Sequence, residues 1–242
     1  MTVRIDGRAP DEIRPVSFEL APLKYPEGSA LIRMGDTRVL CAVTVEPHVP
    51  PWRQGSGAGW LTAEYALLPR ATQERTRRSH IEGGRAQEIR RLIGRSLRRA
   101  VDLAALGERT IIVDCDVLQA DGGTRTASIT GGYVAVALAV RHLAEQGELS
   151  ADVLAPPVAA ISLGVVDGDL LLDLNYAEDV RAQVDLNVVM NEDGRFIEVQ
   201  GTAEGEPISR ETLDALLSLS VPGVQALIAA QREALSCADN RR

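Results

Sequence analysis

The segment Asp121-Gly122-Gly123-Thr124-Arg125-Thr126-Ala127-Ser128 leads from an apolar strand end into a long apolar stretch, ITGGYVAVALAVRHLA. Paired glycines let a backbone close on a ligand, hydroxyls offer hydrogen bonds, and a helix start favours an anion. Arg125 adds a forked cation suited to a phosphate group. Neither GxGxxG nor GxxxxGK followed by Ser or Thr is present, so this is not one of the common nucleotide loops. Two readings fit the residues: an anion cradle, or a tight turn into a helix capped by Thr126 or Ser128.

A second concentration of chemistry lies between Asp173 and Asn187, where carboxylates alternate with strand-like apolar residues. Asp185, flanked by Val184 and Leu186, belongs at or near a structured surface. Asp179 and Asp185 cannot share a ligand on one continuous strand, because six residues span roughly 20 Å. If the chain turns between them, the pair can hold Mg²⁺, whose oxygen preference and retained waters suit phosphoryl chemistry. Otherwise they are exposed acidic turn residues.

The third feature is basic. Ten arginines against three glutamates lie between Arg70 and Arg99, in a chain whose net charge is −8. A concentrated basic segment on an acidic body is the footprint of a polyanion partner or a solvated helix face. With Ile89 as origin and about 100° per residue, Leu92, Ile93, Ser96, Leu97, Ala100 and Ala104 share one stripe. Arg90, Arg91, Arg95, Arg98 and Arg99 fall off its centre. Arg85 falls on the inward side at the helix start, where it requires a carboxylate or a phosphate as partner.

Other chemistries find little support. His48, His80 and His142 have no metal or nucleophile spacing, and Cys41, Cys115 and Cys237 form neither a CxxC nor an even set. Cys41 and Cys115 read as core residues. The N-terminus lacks a basic start followed by an apolar run, so a cytoplasmic location without membrane contact is expected.

The elements that must position these residues follow from periodicity. Hairpins are expected at 29–45 and 158–174, with turns at Gly35-Asp36 and Asp167-Gly168. A helix is expected at about 85–106, a strand at 110–118 and a helix at about 126–146. Strands near 184–190 and 195–200, then helices near 209–219 and 222–236, complete the chain. The stretch from Gly147 to Pro157 makes a boundary between residues 1–146 and 147–242, two similar α+β units.

In their order, RIDGRAPDEIRPV, GWLTAEYALLPRAT, GGRAQEIRRLIGRSLRRAV, DCDVLQADGGTRTASITG and LDLNYAEDVRAQVDLNVVMN resemble the ribonuclease PH family across nearly the whole chain. The resemblance implies a ribosomal protein S5 domain 2-like α+β fold with duplicated units, assembled as a hexameric ring, a trimer of dimers. It implies a phosphorolytic 3′-to-5′ exoribonuclease, a tRNA nucleotidyltransferase, that trims tRNA precursors and other RNA 3′ ends with inorganic phosphate and Mg²⁺. Phosphate binding would fall on Arg85, Gly123, Thr124 and Arg125, with Ser128 close by. Catalysis and metal binding would fall on Asp179 and Asp185, and tRNA contacts on Arg70, Arg75 and Arg78. The chain between Arg78 and Gly83 is shorter and less basic than the family pattern. Competing readings are a hydrolytic metal-dependent nuclease, which needs the aspartates but no arginine-lined pocket, and a non-catalytic RNA-binding ring subunit.

Overall fold

The computed structural model describes residues 4–76 and 83–239, so Arg78 lies outside the described residues. The expected α+β architecture is present as two sheets. Strands β1 (Val16–Leu20), β2 (Gly28–Met34), β3 (Thr37–Glu46), β4 (Trp60–Leu67) and β5 (Thr110–Gln119) form the first, in the order β1-β2-β3-β5-β4. Strands β6 (Val158–Val166), β7 (Asp169–Leu172), β8 (Ala182–Asn191) and β9 (Phe196–Ala203) form the second, in the order β7-β6-β8-β9. All pairings are antiparallel except β4 with β5.

Both expected hairpins are seen, β2–β3 and β6–β7. In the second, Asp167 and Gly168 both take positive φ, 51° and 85°, as a two-residue turn matched to strand twist requires. The patterning did not reveal β1 or β4. The first is a short edge strand, and the second pairs in parallel with β5 only after a helical crossover.

That crossover is α1 (Gly84–Leu97), whose buried residues include Ile89, Leu92, Ile93, Ser96 and Leu97, the expected stripe. It ends earlier than expected. Val101 bridges Leu154, and Asp102 accepts hydrogen bonds from the backbone N–H groups of Ala104 and Ala105, starting the separate turn α2 (Leu103–Leu106). An aspartate competes well for backbone donors at a cap and poorly extends a helix.

Helix α3 (Thr124–Glu145) packs on β2, β3 and β5 of one sheet and on β6 of the other. Contact with both sheets explains its unbroken burial from Thr126 to Ala137, and one contiguous apolar core draws residues from both sheets. By length and composition α3 and part of α5 (Arg210–Asp239) could cross a membrane, but the apolar window of α3 is 78% buried inside the fold.

The two C-terminal helices expected from the sequence are one. Pro222 lies inside α5 and is exposed, so the carbonyl it leaves unpaired can face water. Gly223 follows it, buried so tightly that a Cβ there would stand 2.6 Å from Ile161 and 3.0 Å from Leu172. Packing against β6 and β7 thus carries the helix on past the residue that would end it in isolation.

Candidate active site

The glycine-rich loop is a turn at the N-terminus of α3. Gly122 and Gly123 take φ of 74° and 64°, and a Cβ on Gly122 would stand 2.5 Å from the Leu174 carbonyl oxygen. Only glycine combines that backbone with that approach. The helix starts two residues earlier than expected, with Gly123 as its cap and no capping side chain. Thr126 and Ser128, the expected caps, sit inside the first turns and donate to the carbonyls of Gly123 (2.9 Å) and Thr124 (2.8 Å). The first N–H groups of α3 therefore have no side-chain acceptor, which suits an anion.

The rest of the loop is tied down from several elements. Thr37 donates to the Gly122 carbonyl (2.7 Å) and accepts from the Asp121 N–H (3.0 Å). The Thr124 and Tyr65 hydroxyls are 2.8 Å apart, linking β4 to the helix start. Arg14 donates to the Asp121 carbonyl (2.5 Å) and grips the Asp173 carboxylate through two nitrogens, at 2.9 and 2.6 Å.

Asp173 opens the segment that aims Asp179. It is fully buried with a left-handed φ of 54°, a conformation that aspartate tolerates better than most residues. Next comes α4 (Tyr176–Asp179), a single turn closed by a capping box in which Asn175 and Glu178 satisfy each other's backbone N–H groups. Arg4 holds the Glu178 carboxylate from outside at 2.8 Å. The chain then bends into β8, which carries Asp185. The turn that shared use of Asp179 and Asp185 demands is therefore present.

A cavity of about 610 Å³ opens between these elements, and Arg85, Gly123, Thr124, Arg125, Asp179 and Asp185 all line it. Arg85 is exposed at the start of α1 and not directed into the apolar core. The first turn of α1 overhangs the cavity, and burial begins only at Ile89. Burial pushes the Asp179 carboxyl above the usual carboxylate range, while Arg125 and Arg85 oppose the shift. Burial also raises Asp185, the charge of Asp179 adds to it, and the same two arginines oppose it. The two cations and two carboxylates thus act on one another across one volume, although forty residues separate the arginines.

Not every candidate reaches the cavity. Ser128 is buried with its hydroxyl spent on Thr124, so it stiffens the first turns of α3. Arg70 and Arg75 are exposed on the segment whose neighbours Thr72, Gln73, Glu74 and Thr76 form part of the cavity rim. Much of the remaining basic segment is structural: Arg90 pairs with Glu64 at 2.8 Å, Arg95 with Glu198 at 2.5 Å, and Arg98 lies 4.3 Å from the Trp60 ring centroid.

Sequence reasoning missed several supporting residues. Asn187, two positions beyond Asp185 and therefore on the same face of β8, reaches its carboxylate at 3.4 Å. Gln200 of β9 accepts from Arg125 at 3.5 Å and donates to Glu88 of α1. The alternation of β8 could have revealed Asn187. Nothing local marks Gln200, Tyr65 or Arg4.

Fold and site together define a two-sheet α+β protein in which a helix start without a capping side chain shares one cavity with two arginines and a carboxylate pair, an arrangement suited to phosphoryl chemistry. The chain belongs to the 3′ exoribonuclease family, whose domain 1 matches residues 12–141 and domain 2 residues 156–221. It is 56% identical to "Ribonuclease PH" of Moorella thermoacetica over 96% of this chain and 94% of that protein. It is also 56% identical to "Ribonuclease PH" of Corynebacterium kroppenstedtii, over 97% of this chain and 93% of that one. Among solved structures, the Archaeoglobus fulgidus exosome with RNA bound to the active site superposes with a TM-score of 0.78 at 24% identity, covering 93% of this chain and 91% of that one. The fold is the ribosomal protein S5 domain 2-like α+β fold.

Proposed function

We propose that this protein is a phosphate-dependent 3′-to-5′ exoribonuclease that trims tRNA precursors and releases nucleoside diphosphates. The observation that carries this is the single cavity lined by Arg85 and Arg125 together with Asp179 and Asp185. Membership of the 3′ exoribonuclease family and the similarity to proteins named Ribonuclease PH support it.

Inorganic phosphate sits at the N-terminus of α3, held by Arg125, Arg85, Thr124 and the backbone of Gly123. Held in line with the last phosphodiester, its oxygen attacks the phosphorus and the bond to the 3′ oxygen of the preceding nucleotide breaks. That oxygen takes the proton the attacking hydrogen phosphate carried and becomes the new 3′-hydroxyl of the shortened RNA, and the released product is a nucleoside 5′-diphosphate. One phosphorus–oxygen bond replaces a similar one, so the reaction also runs in reverse. The arginines counter charge on the phosphoryl oxygens as it redistributes.

The donor set fits magnesium. Among the described residues no cluster of three or more His, Cys, Asp or Glu side chains forms a closed metal cage. Two mutually repelling, partly desolvated carboxylates in an open cavity suit a cation that keeps most of its waters. Asp179 and Asp185 would hold it, and when bound it supplies positive charge against the transferring phosphoryl group.

Arg70, Arg75 and Arg78 capture the tRNA body. Their small basic footprint on an acidic subunit is enlarged when several subunits assemble, and membership of the 3′ exoribonuclease family supports a homohexameric ring, a trimer of dimers, as that assembly. Residues 1–146 then form the unit that binds phosphate and RNA, and residues 147–242 the unit that carries the aspartates. The working location is the cytoplasm.

The deciding experiment incubates a tRNA precursor with Mg²⁺, with and without inorganic phosphate, and identifies the released nucleotide. Nucleoside diphosphate that appears only with phosphate is expected. Nucleoside monophosphate without phosphate would establish hydrolysis instead, and no release at all would leave an RNA-binding subunit.

A further inference from the structure

Strand β6 meets the first turn of α3 at Ser162. This serine is 4% exposed and lines the cavity, and its hydroxyl is buried without a hydrogen-bond partner among the described residues. A Cβ built on Gly123 would stand 3.4 Å from that hydroxyl oxygen, which places it against the capping residue of α3. Ser162 pairs opposite Asn187 in its sheet, and its carbonyl accepts from the Asp173 N–H at 2.7 Å.

The neighbouring hydroxyls behave differently. Thr124 pairs with Tyr65, Thr126 donates to Gly123, Ser128 donates to Thr124, and Thr130 donates to the Ala160 carbonyl at 3.2 Å. Ser162 alone of these five hydroxyls has nothing to bond. A buried hydroxyl without a partner is disfavoured, and where one persists beside a cavity the missing partner belongs in the cavity. The chemistry around it specifies that partner. The N–H groups at the start of α3, which no side chain caps, and the Arg125 guanidinium in the cavity lining are donors. A ligand that meets these donors and the Ser162 hydroxyl together presents several acceptor oxygens at this end of the cavity, as a phosphate group does.

We propose that Ser162 is a further ligand of the co-substrate, donating its hydroxyl to an oxygen of the inorganic phosphate seated at the start of α3. The proposal rests on the phosphate site described above and extends it across the fold. Arg85, Gly123, Thr124 and Arg125 all come from the first sheet and its helices, whereas Ser162 belongs to the second sheet, which also carries Asp185. Bound phosphate then bridges the two sheets and sets the distance between the anion cradle and the carboxylate pair.

The test uses full-length Ser162→Ala, with Ser162→Cys as a near-isosteric variant that keeps a weak donor and Arg125→Ala as the control for the site. Steady-state phosphorolysis of a short oligonucleotide measures KM for phosphate and KM for RNA separately. Thermal unfolding with and without inorganic phosphate, in the absence of RNA, measures binding independently of turnover. Ser162→Ala is expected to raise KM for phosphate about tenfold and to diminish the phosphate-induced rise in Tm, as loss of one hydrogen bond to a charged ligand does. KM for RNA is expected to stay unchanged, and Tm without phosphate to equal or exceed the wild-type value, since no orphaned hydroxyl remains. Ser162→Cys is expected to fall between the two. If Ser162→Ala leaves KM for phosphate within twofold of wild type while Arg125→Ala raises it, Ser162 is no ligand and the proposal falls alone. A lowered phosphate-free Tm with unchanged KM would assign the hydroxyl to a buried structural water, overturning it likewise. If neither variant affects phosphate, the phosphate seat is elsewhere and the reading of the site falls with the proposal.

Discussion

Arg4 and Glu178 meet guanidinium to carboxylate through two parallel hydrogen bonds of 2.8 Å, both side chains buried and 174 residues apart in the chain. Asp179 is the next residue, so a pairing between the N-terminal segment and α4 sets the direction of a proposed catalytic carboxylate. Glu178→Ala leaves the Arg4 charge buried without its partner, and a loss of about 3–5 kcal/mol is expected by urea denaturation. The double variant Arg4→Met with Glu178→Leu should recover much of that stability but not the activity, because the capping box of α4 also uses Glu178. Full activity in the double variant would remove Glu178 from the positioning of Asp179.

Asp185→Asn keeps the shape of the side chain and removes its charge. Phosphorolysis should fall about a hundredfold or more, the scale for losing one preorganised charge contact in a transition state. Binding of a short RNA, followed by fluorescence anisotropy, should be retained. Single-turnover cleavage at the wild-type rate would reassign the residue.

Gln200 stands between Arg125 and Glu88 and connects the start of α3 with α1, the helix of Arg85. Gln200→Leu frees the Arg125 guanidinium, and KM for phosphate should rise several-fold while KM for RNA holds. In a double-mutant cycle, Glu88→Ala should have little further effect once Gln200 is replaced. Additive effects would show that the two side chains do not act through one another.

On the opposite wall of the first sheet, Glu64 stands beside Asp114 in the β4–β5 register, Asp116 is two residues further along β5, and Arg90 pairs with Glu64. Burial pushes the Asp114 carboxyl above the usual range, with Asp116 and Glu64 adding to the shift, and burial raises Asp116 as well. A raised folded-state pKa means that the folded chain holds the proton more tightly than the unfolded chain. Stability from this group is therefore present at low pH and lost as pH rises through the folded pKa. Asp114→Asn should stabilise the fold at about pH 7 and have little effect near pH 3, where the carboxyl is protonated in both states. Urea unfolding at the two pH values measures the difference, and an equal gain at both would exclude titration of Asp114 as its source.

Replacing Arg70, Arg75 and Arg78 together by alanine should weaken precursor tRNA binding and flatten its dependence on log salt by about two to three units, one per lost phosphate contact. Phosphorolysis of a short single-stranded oligonucleotide should be largely intact. The comparison requires matched oligomers, with size verified by light scattering. Unchanged affinity and salt slope in a variant of wild-type size would make the segment a solvated surface.

Signals confined to a few neighbouring residues were legible without a structure. Both hairpins, the buried stripe of α1, the glycine turn before α3 and the need for a bend between Asp179 and Asp185 follow from local sterics, periodicity and reach. The candidate residues that line the cavity were also visible by type, because glycine pairs, arginines and clustered carboxylates are chemically conspicuous.

Tertiary contacts decided the rest, and each case has the same physical origin: the deciding partner is remote in sequence. Pro222 stays within a helix because Gly223 is locked against Ile161 and Leu172. Arg85 faces the cavity, not the apolar core, because the first turn of α1 extends beyond the sheet that buries Ile89. Ser128 is withdrawn from the cavity because α3 begins at Thr124, which turns that hydroxyl back onto its own helix. Ser162 and Gln200 carry no local mark, since an isolated serine or glutamine on a strand is ordinary until folding sets it beside Gly123 or Arg125. Residue type and spacing determined which chemistry was available to this chain. The approach of two sheets on either side of α3 determined which of those residues could act on one ligand, because only long-range packing sets distances between them.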